Sequence, residues 1–222
     1  MNKVIISLRN ISKEYNVKVL NNLNLDINEN DYISIIGKSG SGKSTLMNII
    51  GLLENYTAGE YIFMNRYIQN SRDYDQLRLK YIGFIFQSYN LIPTLSGREN
   101  ILLPLLYSNE SLKLKEEYFK SLIDLLDIRH LLDRAVNTLS GGEKQRIAIA
   151  RALILDPKII IADEPTGNLD SENKKIIVQL FQQFHKDGKT IILITHDRKM
   201  AKYAQKQYEL KEGILNELCL NC

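Results

Sequence analysis

The segment Gly37-Lys38-Ser39-Gly40-Ser41-Gly42-Lys43-Ser44-Thr45 constrains this chain more than any other. It satisfies the phosphate-loop pattern G-x-x-x-x-G-K-[ST]. It also sits where that pattern has physical meaning, after the apolar run Tyr32–Ile36 and before Leu46–Ile50, whose spacing is helical. Glycines let the backbone turn tightly enough for successive N–H groups to face phosphate oxygens at the positive end of the following helix. Gly37 to Thr45 then form the cradle, Lys43 reaches the β- and γ-phosphates, and the Ser44 hydroxyl completes Mg²⁺ coordination.

A nucleoside triphosphate also needs a metal anchor and a base. Lys158–Ala162 is a short apolar run of the kind found in central parallel strands, and Asp163 and Glu164 stand at its carboxyl end. Ligands of open α/β sheets bind at that end. Asp163 is expected to hold Mg²⁺, directly or through water. Glu164, one residue on, points elsewhere and is expected to polarise the attacking water.

Leu139-Ser140-Gly141-Gly142-Glu143-Lys144-Gln145-Arg146 narrows the class. Ser140 and Glu143 form a capping box, with a helical run over Gln145–Leu155 after it. Two glycines directly behind the cap lower helix propensity by about 1 kcal/mol each, a cost that packing alone does not explain. Bare N–H groups at a helix start suit an anion. Because one phosphate loop already serves this chain's own nucleotide, the second cradle is best used on the nucleotide of another subunit.

The remaining pattern places these segments on one fold. Val4–Leu8, Asn24–Ile27 and Tyr32–Ile36 read as strands, the first broken by charge at Arg9. The region from about Ser88 to Asp156 reads as mainly helical, with Phe119, Leu122, Ile123 and Leu126 on one face and Pro157 ending its last helix. Thr190–Thr195 is a second apolar strand. Ser171–Lys186 is a helix between the two strands, capped by Asp170 or Ser171 with Gly188 past its end. Strand, helix, strand implies a right-handed crossover and a parallel sheet. Gln207–Leu218 reads as a hairpin turning at Glu212-Gly213.

Composition sets outer limits. With 44% hydrophobic and 25% charged residues in 222, the chain folds around a substantial core. The longest stretch without a charged, amide or hydroxyl group near its middle is the seven-residue Ile101–Tyr107, interrupted by Pro104, so no segment spans a bilayer as a helix. The amino terminus is too short and charged for a secretory signal, and a cytoplasmic location is expected. Scattered basic residues, 29 against 26 acidic, argue against nucleic acid as the ligand. Cys219 and Cys222 lack the second pair that a zinc site needs, and are expected to be reduced tail thiols.

Taken in order, these motifs resemble the nucleotide-binding subunit of an ATP-binding-cassette (ABC) transporter over nearly the whole chain. The resemblance implies an α/β phosphate-loop NTPase (RecA-like) core with a parallel sheet and an N-terminal antiparallel β part. It also implies an inserted α-helical subdomain, so that about 1–87 and 157–222 form the core and about 88–156 the insertion. It assigns Tyr15 to stacking on adenine and Gln87 to Mg²⁺, the water and the route to the membrane partner. Ser140, Gly141 and Gly142 are assigned to the opposite subunit's γ-phosphate. Asn168-Leu169-Asp170 becomes the loop crossing the dimer interface, and His196 a contact to the γ-phosphate.

Ile101–Leu105 and Ala162–Asp170 resemble the subgroup that serves lipoprotein release, macrolide export, antimicrobial-peptide export and resistance, and cell division. Gly167-Asn168 replaces the serine-alanine commoner elsewhere in the family, and the carboxyl-terminal regulatory domain of many sugar importers is not expected. The implied machine is a homodimer holding two ATP and Mg²⁺ between head-to-tail copies, bound to an integral membrane permease at the cytoplasmic face. A bacteriocin or peptide exporter is the preferred cargo class. A cell-division type that signals without moving a solute is the alternative, with a soluble non-transport ATPase further behind.

Overall fold

The computed structural model describes residues 3–69, 74–108 and 110–218. Cys219 and Cys222 lie outside the described residues. Strands β1 (Val4–Glu14), β2 (Lys18–Asn28) and β3 (Tyr32–Ile36) lead into helix α1 (Lys43–Ile50). Next come β4 (Ala58–Phe63), β5 (Arg66–Tyr67), α2 (Tyr74–Tyr81) and β6 (Ile82–Phe86), then α3 (Gly97–Leu102), α4 (Leu112–Leu125) and α5 (Gly141–Leu153). The chain continues through β7 (Ile159–Asp163), α6 (Ser171–Lys186), β8 (Thr190–Ile194), α7 (Arg198–Ala201), β9 (Lys206–Lys211) and β10 (Ile214–Leu218).

Two sheets result. One is antiparallel in the order β2-β1-β4-β5, and the other runs β10-β9-β3-β8-β7-β6 with every pair parallel except β10 on β9. Period-two alternation along the parallel strands divides the interior. Ile160 and Ala162 face a core shared with α4, α5 and α6, while Ile159 and Ile161 face one shared with α1 and the antiparallel sheet. The parallel strands are therefore covered on both faces, which is why they read as unbroken apolar runs.

Several expected boundaries shift for identifiable reasons. β1 does not stop at Arg9, because that side chain faces water and pairs with Asp26 of β2 at 2.7 Å. A register shift between Leu8 and Ile11, with Asn10 at φ 51°, returns Ile11 to the core. Pro157 is not what ends α5. The helix finishes at Leu153 and Asp156 already has φ 56°, with its N–H on the Leu153 carbonyl at 2.7 Å. The α6 helix, its Asp170 cap and the β9–β10 turn at Glu212 (φ 50°) and Gly213 (φ 76°) lie where the residues predict. The α4 stripe of Phe119, Leu122, Ile123 and Leu126 is buried. No helix among the described residues is long and apolar enough to cross a membrane.

Candidate functional site

Register builds the site. Phe86 pairs with Asp163, Asp163 with Ile194 and Ile194 with Ile35 across four neighbouring parallel strands. The next residues off each strand, Gln87, Glu164, Thr195-His196 and the loop opening at Gly37, therefore emerge along one rim. This is the carboxyl edge where open α/β sheets bind ligands.

In the Gly37–Thr45 segment the turns fall on Gly40 (φ 77°) and Gly42 (φ 99°), a region costly for other residues. The loop presses on β9 so closely that a Cβ on Gly37 would lie 2.5 Å from the Leu210 carbonyl oxygen. The Lys43 ammonium donates to the carbonyls of Gly37 (2.8 Å) and Lys38 (2.9 Å), and Ser44 is exposed on the first turn of α1. Side chains of Ser96, Ser140, Asp170 and Asp197 cap α3, α5, α6 and α7, whereas α1 starts at Gly42 with no side-chain cap and no acidic residue in its first turn. Its leading N–H groups are left for an anion. The Ser41 hydroxyl is buried in the same loop without a hydrogen-bond partner.

At the end of β7, burial foremost and then the neighbouring Glu164 charge push the Asp163 carboxyl up, with Lys43 opposing. A carboxylate so placed gains from a cation. Mg²⁺ typically takes one or two protein oxygens and completes its shell with phosphate and water, and Ser44 and Asp163 fit that donor set. Glu164 adopts φ 45° and its N–H binds the Ile194 carbonyl at 2.8 Å, which turns its side chain away from Asp163. Its Oε2 accepts the Thr195 hydroxyl at 2.9 Å, and its Oε1 accepts both the backbone N–H and Nδ1 of His196.

Gln87 donates from Nε2 to Asn168 Oδ1 at 3.4 Å, and Asn168 Nδ2 donates to the Gln87 carbonyl at 3.1 Å. Tyr15 is exposed, with its hydroxyl on Glu54 and the Lys13 ammonium 4.7 Å from its ring centre. The Glu54 hydrogen bond holds that hydroxyl above its usual range, and Thr45 at the start of α1 also reaches it. Tyr15 thus stands beside the phosphate loop.

The capping box at α5 forms as its residues require. Ser140 N–H donates to Glu143 Oε2 (2.7 Å) and Glu143 N–H to Ser140 Oγ (3.3 Å), which leaves the N–H groups of Gly141 and Gly142 as the bare ones. Packing does account for one glycine, against expectation. A Cβ on Gly142 would lie 2.3 Å from Asn173 Oδ1, and Asn173 is held by two hydrogen bonds to Asp170. Gly141 is freer, since a Cβ there would meet the Tyr89 hydroxyl at 3.0 Å. Asp170 sits at the start of α6 and accepts from the N–H groups of Glu172 and Asn173, which lower its pKa with the Asn173 side chain.

Tyr89, Asn173, Thr195 and Glu54 are neighbours of the site that no motif spacing announces, and the contact of Asn168 with Gln87 is equally hidden. Asn168 and Gln87 are 81 positions apart, and only the pairing of β6 with β7 makes them adjacent.

A family model described as ABC transporter matches residues 20–167. The lipoprotein-releasing system ATP-binding protein LolD of Rickettsia bellii is 43% identical over 222 residues, covering 97% of this chain and 99% of the relative. The macrolide export ATP-binding/permease protein MacB of Campylobacter jejuni is 42% identical over 94% of this chain, which spans 33% of that longer protein. Among solved structures, the dimeric form of the bacterial ABC transporter cassette MJ0796 aligns with a TM-score of 0.89 at 38% identity, covering 98% of this chain and all of that one. A post-hydrolysis dimer of the same cassette, bound to ADP and Pi, also has a TM-score of 0.89, at 37% identity.

Proposed function

The chain belongs to the ABC transporter family, and from that premise we propose that it is the ATP-hydrolysing subunit of an export-type transporter. One observation carries the reading. The glycine loop, Asp163, Glu164, His196 and Gln87 leave four adjacent strands along a single rim, so one nucleotide can meet all of them.

Each residue then has a task set by its placement. Lys43 and the free N–H groups of α1 bind the β- and γ-phosphates, with Gly37, Lys38, Ser39, Gly40, Ser41, Gly42, Ser44 and Thr45 completing the cradle. Tyr15 offers its ring to the adenine. Ser44, Asp163 and Gln87 would hold Mg²⁺, which when bound neutralises developing phosphate charge. Glu164 takes the proton of the attacking water, and His196 fixes that carboxylate and meets the γ-phosphate. Positioning and charge stabilisation account for most of phosphoryl-transfer catalysis, and these groups supply both.

The second half of the machine is another copy. Ser140 and the bare N–H groups of Gly141 and Gly142 suit the γ-phosphate of ATP held by the partner, with Asp170 at the crossing loop. Two-fold symmetry gives two such sandwiches. The dimeric relative supports this arrangement. In this reading 88–156 serves as the helical insertion against the 1–87 and 157–222 core.

A groove of about 560 Å³ begins one residue before Gln87 and is lined in part by Phe84, Phe86, Pro104, Tyr107 and Leu155. Tyr107 and the neighbouring Leu106 are 75% and 76% exposed, unusual for residues of that size. That surface suits a permease segment and would hold the subunit at the cytoplasmic face of a membrane. The names of the relatives support cargo of the drug or lipoprotein class. Phosphate release from Mg-ATP tests the enzymatic core. The native chain is expected to hydrolyse ATP and Glu164→Gln to lose about 100-fold or more in rate, while equal rates in the two would refute it.

A further inference from the structure

Between β6 and the helical region, the chain makes a short turn that the mechanism above uses only through Gln87. Tyr89 (φ 61°) and Asn90 (φ 48°) are consecutive residues in the left-handed region, which side chains other than glycine rarely adopt and which persists only when surroundings impose it. Two sets of surroundings do so here. From α5, the Arg151 guanidinium donates to the carbonyls of Asn90 (2.6 Å) and Tyr89 (2.8 Å). From the loop after Glu164, Asn168 exchanges two hydrogen bonds with Gln87, donating to its carbonyl and accepting from its side chain. Gly167 makes the approach feasible, because a Cβ there would lie 2.6 Å from Gln87 Nε2 and would push that amide aside.

We propose that Asn168 is a positioning residue, the jaw opposite Arg151 in a clamp that sets where Gln87 stands relative to Glu164 within one chain. The inference rests on the hydrolytic reading above and goes beyond it, since Asn168 there belongs only to a loop that crosses to the partner. Asn168 is four residues from Glu164 along the chain and directly bonded to Gln87. A displacement of the Gln87 turn, such as a membrane partner docked beside it would cause, therefore reaches the loop that carries the base through this amide. Gly167 and Asn168 act together: the glycine gives the Gln87 side chain room and the asparagine holds it.

A double-mutant cycle separates this from a role in packing alone. Asn168→Ala is expected to lower kcat for ATP hydrolysis about 10-fold, with KM changed less than about 3-fold and thermal stability unchanged within a few degrees. Gln87→Ala with Asn168→Ala is expected to be no slower than Gln87→Ala alone, because both substitutions break one contact. Asn168→Asp keeps the acceptor and loses the donor, and should fall between Asn168→Ala and native. Hydrogen exchange without nucleotide gives an activity-free reading: Asn168→Ala should speed exchange at residues 87–90 about 10-fold and leave β7 as in the native chain. Multiplying effects in the cycle, a native kcat in Asn168→Ala, or unchanged exchange at 87–90 would each overturn the clamp. A native chain without ATPase activity would sink the proposed function instead, and the exchange result would still decide the clamp.

Discussion

One oxygen of Glu164, Oε1, accepts from both the backbone N–H and the Nδ1 of His196, each at 2.6 Å. A carboxylate oxygen accepting this bond makes Nδ1 the donor, on a ring that is 70% exposed. With the Thr195 hydroxyl on Oε2, three of about four lone-pair positions are filled. The one left, on Oε2, is open to a water. The carboxylate is thus oriented by neighbours of β8 and its reach is confined to one direction.

His196→Ala should therefore cost more than a phosphate contact, because it also releases Glu164. Hydrolysis is expected to fall on the order of 100-fold, with ATP affinity changed only a few-fold, and His196→Gln to retain part of the rate. Steady-state kcat and KM on the three proteins check this, and a native rate in His196→Ala contradicts it.

Asp163 predicts a pH dependence of stability. Burial and the Glu164 charge raise its folded-state pKa. The folded chain accordingly holds that proton more tightly than the unfolded one, and the group's contribution to folding is fully present only below its unfolded pKa. That contribution is withdrawn as pH rises through the folded pKa. Asp163→Asn should melt above native at pH 7, because the substitution removes a carboxylate that burial and the Glu164 charge disfavour. The gap should close as pH falls below the carboxylate range, and hydrolysis should be lost at every pH. Melting curves across pH without nucleotide read this out, and an Asp163→Asn protein less stable than native at pH 7 contradicts it.

Gly142 carries two demands that substitution can separate. Gly142→Ala crowds Asn173, and relieving it should recover stability in the pair Gly142→Ala with Asn173→Ala. If bare N–H groups at that turn must also approach an anion, hydrolysis stays at least about 10-fold down in the pair. Melting temperature and phosphate release distinguish the two, and joint recovery of both would show that Asn173 alone requires the glycine.

Much of this was legible from local pattern. Apolar runs marked β3, β7 and β8 because they are covered on both faces, and the caps at Ser140 and Asp170 lie within three residues of the groups they serve. What stayed hidden depends on register between distant strands. Nothing in the spacing places Asn168 on Gln87, or Thr195 and His196 on Glu164, until β6, β7 and β8 align. The extension of β1 past Arg9 was hidden for a related reason, since a charge ends a strand only when it faces the core, and Arg9 instead faces Asp26. The bare glycine N–H groups of α5 suggested an anion site, yet the packing of Gly142 on Asn173 became visible only once α5 met α6.

In the proposed cycle two copies close on ATP and Glu164 reopens them. Glu164→Gln keeps the shape of the side chain and removes the base, so the closed pair should accumulate. Gel filtration of this variant with and without saturating Mg-ATP measures it directly. A shift from monomer to a nucleotide-dependent dimer, reversed when ATP is withdrawn, is expected, and a species that stays monomeric at saturating Mg-ATP would contradict the two-copy mechanism.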